Sequence, residues 1–166
     1  MGEAKAGDEF ITHEFDEAIA IQQSIVDAET TLSTKHPVAS AKKAISSSLT
    51  EDKRFLRELK TLGKQHDATG KVEDVAGGLK ELMESTLESA TKEGADSDFY
   101  EAHAVLLNLK RKQMDSAGGM LAIARDQKDA ELRTAATAFQ KAQKASSESL
   151  TSELAAYAVK IAGASS

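Results

Sequence analysis

Apolar residues recur along much of this chain at alternating steps of three and four, which is the spacing of one face of an α-helix. The first such stripe consists of Ile11, Phe15, Ala18, Gln22, Ile25, Glu29 and Leu32. Five of its seven members are apolar, as expected of a face directed at a protein core, but Gln22 and Glu29 are polar. Because an unpaired carboxylate is costly on a buried face, the contacts of Glu29 become the first question about the fold.

Polar caps and a proline define the ends of this first helix. Asp8 or Thr12 can cap its start by accepting a backbone N–H, so residues 1–7 are predicted to be a flexible tail. Pro37 disfavours helix in the residue before it, so the helix is expected to end near Lys35. Pro37 then suits the first turn of a second helix, where its missing N–H costs nothing.

Four more helices are predicted downstream, each with its own apolar stripe. They cover about residues 37–67, 72–92, 96–126 and 129–160. The last boundary is placed at 126–129, where polar residues cluster, and the alternative is a break at Gly118 and Gly119. Four long helices and one short one predict an all-α fold, an antiparallel four-helix bundle with the short helix in the crossover between its halves.

Composition supports this fold and restricts the partners. The chain has one Pro, no Trp, two Tyr and five Phe, whereas strands need β-branched and aromatic runs. Its net charge is −6 with the signs interspersed, which speaks against nucleic-acid binding, since that normally needs a basic face. No window approaches the roughly 18 apolar residues of a membrane span, and no signal peptide is recognisable. We expect a cytoplasmic protein with a single domain over residues 8–164.

Polar residues also occupy the middle of several predicted stripes. They are Gln22, Glu29, Asp52, Gln113, Gln143 and Glu153. One interpretation is a metal site, because bundle cores bind iron or manganese through carboxylates on facing helices, and Glu29 and Asp52 are its candidate ligands. The other is a partly hydrated interior, in which these residues pair with Lys or Arg or lie at the edge of the stripe.

Motifs for catalysis are missing from the sequence. A di-iron bundle uses Glu-x-x-His, which places a carboxylate and an imidazole one turn apart on a helix. The four histidines are His13, His36, His66 and His103. None of them has a glutamate three residues earlier, and the chain has no cysteine, no Gly-x-Ser-x-Gly elbow and no Gly-rich phosphate loop. We therefore expect that the protein is not an enzyme.

Other polar groups are expected at the surface or at its boundary. The basic run Lys110-Arg111-Lys112 fans round its helix, so it is interpreted as a solvated face. His36 is expected to lie in the turn before Pro37. His103 is close to the fourth stripe and is expected to be a hydrogen-bonded boundary residue.

Three short stretches, together with the order of the helices, resemble a known group of helical bundles. They are Asp-Ala-Glu-Thr-Thr-Leu at 27–32, Glu-Asp-Lys-Arg-Phe-Leu-Arg-Glu-Leu at 51–59 and Val-Ala-Gly-Gly-Leu at 75–79. They resemble the ferritin-like superfamily, especially its small, stress-associated bacterial branch. The resemblance implies an inward glutamate on the first helix, matched by Glu29, and an acid on the second, matched by Glu51 or Asp52. The family's Glu-x-x-His would need a histidine where Arg54 stands.

The resemblance and the missing motifs lead to one expected function and two alternatives. We expect a ferritin-like bundle without a cofactor, in a structural, binding or stress-related role, and forming a homodimer through an exposed helix face. The first alternative is a carboxylate-rich, di-iron-type oxidase or metal store that uses Glu29 and Asp52. The second is an amphipathic bundle that binds lipid.

Overall fold

The structure is a computed structural model and describes residues 2–72 and 75–164 of the chain. Five helices account for most of these residues: α1 (Gly2–Lys35), α2 (Ala39–Lys64), α3 (Val75–Glu93), α4 (Asp96–Asp126) and α5 (Ala130–Ala164). There is no β-strand in the described ranges. The prediction of an all-α fold is confirmed.

Helix α1 begins earlier than its polar residues predicted. The backbone is helical from Gly2, so neither Asp8 nor Thr12 caps the start, and Met1 lies outside the described residues. Thr12 instead donates a hydrogen bond from Oγ1 to the backbone oxygen of His66, 2.7 Å away, and so ties α1 to the segment after α2. Ala, Glu and Lys favour helix in residues 2–7, and no proline interrupts them.

Helix α2 is shorter at both ends than its pattern predicted. Its first residue is Ala39, with Val38 as the N-cap, so Pro37 lies before the helix and not in its first turn. It ends at Lys64, and Asp67 then adopts a left-handed φ of 56° that turns the chain away from the helix axis. The next helix begins at residue 75, not 72, and residues 73 and 74 lie outside the described part.

The boundary between α4 and α5 lies where the polar cluster predicted it. Helix α4 passes through Gly118 and Gly119 without a break and ends at Asp126, so the alternative boundary is wrong. Side chains on either side of the glycines, such as Met120, are buried, and their packing in the core stabilises this part of α4. Asp129 caps the start of α5, because its Oδ1 accepts a hydrogen bond from the backbone N–H of Leu132 at 3.0 Å.

The helices pack in a definite order of neighbours. Helix α1 lies against α2, α3 and α4, while α5 lies against α4 and α2. The backbones of the pairs α1–α5 and α2–α4 make no direct contact in the described chain. Among the described residues, helix α3 contacts only α1 and α4, so it packs on one side of the other four helices. No described helix combines the length and apolar character needed to cross a bilayer.

Two large apolar clusters fill the interior, one toward each end of the long helices. One contains Ile25, Ile45, Leu106 and Leu150, and the other contains Phe15, Leu59, Met120 and Leu132. Between them, α1, α2, α4 and α5 each bury polar residues. Except for Glu153, the polar positions in the middle of the predicted stripes therefore correspond to a buried polar layer.

Candidate functional site

Seven buried side chains form the polar layer, which we call the core polar cluster. Its members are Gln22 and Glu29 on α1, Ser48 and Asp52 on α2, Lys110 and Gln113 on α4, and Gln143 on α5. None of the seven is more than 5% exposed. Four helices contribute to the cluster and α3 does not. The cluster therefore joins the four long helices near the middle of their length.

Lys110 is the cation of this cluster. Its Nζ donates hydrogen bonds to Asp52 Oδ2 and to Ser48 Oγ, both at 2.7 Å, and lies 3.7 Å from Glu29 Oε2. The prediction of a solvated face is wrong for this residue, because three consecutive residues on a helix point in three directions. Lys110 follows Leu106 by four residues and precedes Gln113 by three, so it belongs to the buried stripe. This spacing was the signal that could have identified it.

Asp52 is the anion of the cluster, and both of its carboxylate oxygens accept hydrogen bonds. Besides Lys110, its carboxylate accepts hydrogen bonds from Ser48 Oγ and Gln22 Nε2, both at 3.0 Å, and from Gln143 Nε2. Burial alone would raise the pKa of Asp52, but the neighbouring Glu29 carboxyl and the charge of Lys110 lower it below the usual 3.8. Asp52 is therefore ionised at neutral pH.

Glu29 lies beside the same ammonium group but in a different environment. Neither of its carboxyl oxygens accepts a hydrogen bond from a described group. Burial raises the pKa of Glu29 well above 4.5, Lys110 offsets only part of this, and the neighbouring Asp52 raises it further. The protonated carboxyl is thus favoured, and it can donate to Asp52. In that state Lys110, Asp52 and Glu29 carry no net charge together.

Two glutamines link the cluster to the α1 backbone. Gln113 Nε2 donates to the backbone oxygen of Ala18 at 2.9 Å and to Gln22 Oε1 at 3.1 Å, and Gln22 Nε2 donates in turn to Asp52. These bonds fix the orientation of both amide groups. The Oε1 atoms of Gln113 and Gln143 have no partner within the described part of the chain.

A second buried group joins the α1–α2 turn to α4 and α5. The backbone N–H of Val38 donates to His36 Nδ1 at 3.1 Å, so the ring proton of His36 is on Nε2. That proton is donated to His103 Nδ1 at 3.1 Å, and His103 Nε2 then donates to the backbone oxygen of Leu150 at 2.9 Å. We call this arrangement the histidine chain.

Both imidazoles of the histidine chain are held neutral. Burial, with the repulsion of His103, lowers the pKa of His36 to about 4, and burial also lowers that of His103. His36 lies in the turn, as predicted, whereas His103 is fully buried and is not a boundary residue. His36 and His103 are 67 positions apart in the sequence, and no local pattern indicated that they form a pair.

A lysine lies between the two acids that suggested a metal centre. Glu29 and Asp52 do approach a common point, but Lys110 contacts both of them there. Glu51, the other acid implied by the resemblance, is exposed and pairs with Arg54 at 2.9 Å. In the described ranges, no three His, Cys, Asp or Glu side chains are placed to share an ion. Metal binding by Glu29 and Asp52 stays a prediction.

The last of the mid-stripe acids lies outside the cluster. Glu153 is partly exposed on α5, and its Oε2 accepts a hydrogen bond from Ser40 Oγ at 2.8 Å. It therefore joins α2 and α5 near the histidine chain and takes no part in the contacts of Lys110.

Comparison with known proteins finds no matching family model, no matching curated protein and no matching solved structure.

Proposed function

We propose that this protein is a ferritin-like four-helix bundle with a structural or binding role, and that its core cation is the Lys110 ammonium group and not a metal ion. The observation behind this proposal is the position of Lys110 Nζ, 2.7 Å from Asp52 and 3.7 Å from Glu29. Those acids are the ones the sequence suggested as metal ligands.

The order of neighbouring helices supports the bundle. Helices α1, α2, α5 and α4 form a closed circuit of contacts, and the core polar cluster takes side chains from each of them. Helix α3 lies between α2 and α4 in the sequence, and in the part of the chain that the structure describes it packs against only α1 and α4. This is the arrangement expected of a crossover helix added to the outside of a four-helix core.

The charge balance of the cluster supports a role without a metal. A divalent ion bound by Glu29 and Asp52 would have to displace Lys110 and ionise Glu29, whose pKa is already raised. Breaking a buried ion pair costs about 3–5 kcal/mol, because one charge is left without its partner. The existing hydrogen bonds thus stabilise the metal-free arrangement.

Metal analysis tests the proposal directly. The protein would be purified without chelator, loaded separately with Fe²⁺, Mn²⁺ and Zn²⁺, and freed of excess metal by gel filtration. We expect a metal content well below one ion per chain, and the same Tm with and without EDTA. Stoichiometric uptake of any of the three metals, with a Tm that EDTA lowers, would overturn the proposal and favour an oxidase or a metal store.

The predicted homodimer belongs to the same proposal. Three large apolar side chains are exposed in the described residues: Phe10, Leu82 and Val159. They lie on three different helices, so any one of those faces is available for contact with a second copy. Light scattering coupled to gel filtration would show whether the mass is that of one chain or two.

A further inference from the structure

A groove lies beside the turn that joins α4 to α5, and basic side chains line it. It has a volume of about 670 Å³. Its cations are Arg125 at the end of α4, Lys128 in the turn, and Arg133 and Lys141 on α5. All four are exposed. We call it the basic groove.

The basic groove has the opposite sign to the protein as a whole. The chain carries a net charge of −6, yet Asp129 is the one acid among the groove's described lining residues. Asp129 Oδ1 already caps α5 by accepting the N–H of Leu132. Since α4 ends and α5 begins at the same turn, their opposed dipoles largely cancel, and the positive potential comes from the side chains.

None of the four groove cations forms an ion pair with a described residue. Charged residues elsewhere do pair, as Lys112 does with Glu17 at 2.7 Å and Arg54 with Glu51 at 2.9 Å. The groove cations therefore keep their donors available to a ligand. Arginine in particular offers a planar fork that matches the oxygens of a phosphate group.

The spacing of the cations indicates an extended anion. Arg133 and Lys141 lie eight residues apart on one face of α5, which corresponds to about 12 Å along the helix. Arg125, at the end of α4, and Lys128, in the turn, flank the same groove. A single phosphate cannot span these groups, whereas a chain of linked phosphates can contact several of them. The alanines Ala124, Ala130 and Ala138 leave room for such a chain between the cations.

We propose that the basic groove binds a soluble ligand that carries linked phosphate groups. This inference does not depend on the metal content of the core. Tripolyphosphate is the probe, titrated calorimetrically into the whole protein at low ionic strength. The test variant replaces Arg125, Arg133 and Lys141 with glutamine. The control variant makes the same change at Lys53, Lys92 and Lys144, which are exposed and lie outside the groove lining.

We expect tripolyphosphate to bind the wild type and the control with similar Kd, and the test variant with a Kd about tenfold or more higher. Orthophosphate should bind more weakly than tripolyphosphate, and added salt should weaken both. Circular dichroism would verify that the variants fold. Absence of tripolyphosphate binding to the wild type, or equal affinity in the two variants, would overturn the proposal. So would binding to phosphatidylglycerol vesicles without tripolyphosphate binding, which would assign the groove to a lipid surface.

Discussion

Glu29 and Asp52 lie beside the same ammonium group, yet their pKa values move in opposite directions. Asp52 accepts hydrogen bonds from Lys110 and from three other side chains, which compensate for its burial. Glu29 accepts none and stands farther from the ammonium. At the scale of the residue, hydrogen-bond donors decide which of two buried carboxyl groups holds the charge.

Amide substitutions at these two positions should have unequal effects on stability. Glu29→Gln replaces a neutral carboxyl with a neutral group of the same shape, so we expect a change in the free energy of unfolding of less than about 1 kcal/mol. Asp52→Asn leaves Lys110 buried without its anion and should cost about 3–5 kcal/mol. Urea denaturation followed by circular dichroism measures both. The exposed Glu51→Gln is the control, and equal losses for Glu29→Gln and Asp52→Asn would show that Glu29 is ionised.

The neutral His36 should make stability depend on pH. Its pKa is about 4 in the folded protein and 6.5 ordinarily, so between these values the unfolded chain binds more protons. This contribution is present above pH 6.5 and is lost as the pH falls to about 4, with a magnitude of about 3 kcal/mol. Glu29, whose folded pKa is raised, acts in the opposite sense above pH 4.5.

A variant separates the contribution of His36 from that of Glu29. In His36→Asn the titration of His36 is gone, while His103 and the carboxyl groups remain. We expect this variant to be less stable than the wild type at pH 7, and to lose less stability than the wild type between pH 7 and pH 4.5. Urea midpoints at several pH values provide the measurement. Parallel pH profiles for the two proteins would contradict the neutral state of His36.

At the scale of the element, the turn between α4 and α5 contains a residue under backbone strain. Lys128 has a left-handed φ of 58°, a conformation that costs non-glycine residues roughly 1–2 kcal/mol. Lys128→Gly should therefore raise the free energy of unfolding by about 0.5–1 kcal/mol, after the entropy that glycine adds to the unfolded chain. Lys144→Gly, in the interior of α5, should lower it by about 1 kcal/mol. Opposite signs in thermal or urea unfolding would confirm the strain, and a loss in both would contradict it.

Local patterns predicted the helices well and their mutual contacts poorly. The stripe of α1 correctly placed Gln22 and Glu29 in the interior, and the polar cluster near 126–129 placed the last turn. Periodicity describes which side of a helix is apolar, but not which residue of another helix lies opposite. The contact of His36 with His103 depends on how α4 is rotated and shifted against the α1–α2 turn, and packing of the whole molecule sets that geometry.

At the scale of the whole molecule, the core polar cluster separates two apolar regions and joins four helices. Each member has a partner on another helix, so a shift of one helix along the bundle would break several buried hydrogen bonds at once. Apolar side chains on either side tolerate such shifts better, because their packing is less directional. We infer that the cluster fixes the register of the helices more than it adds to stability.

Replacing the charged members of the core polar cluster singly and together distinguishes its role in helix register from its contribution to stability. Lys110→Met alone leaves Asp52 as an unpaired buried anion and should lower the free energy of unfolding by about 3 kcal/mol or more. Lys110→Met combined with Asp52→Leu and Glu29→Leu removes all three ionisable groups, and we expect a stability equal to or above that of the single variant.

Urea unfolding measures this non-additivity, and amide NMR spectra report whether one conformation is retained. Lys112→Met is the control, because Lys112 is partly exposed on the same helix and pairs with Glu17 near the surface, so its loss should cost under about 1 kcal/mol. A triple variant that is at least as stable as Lys110→Met but shows broadened or doubled amide signals would show that the cluster fixes the register of the helices. A triple variant less stable than Lys110→Met would show that the ion pair itself holds the bundle together, because the apolar replacements would then fail to compensate for its removal.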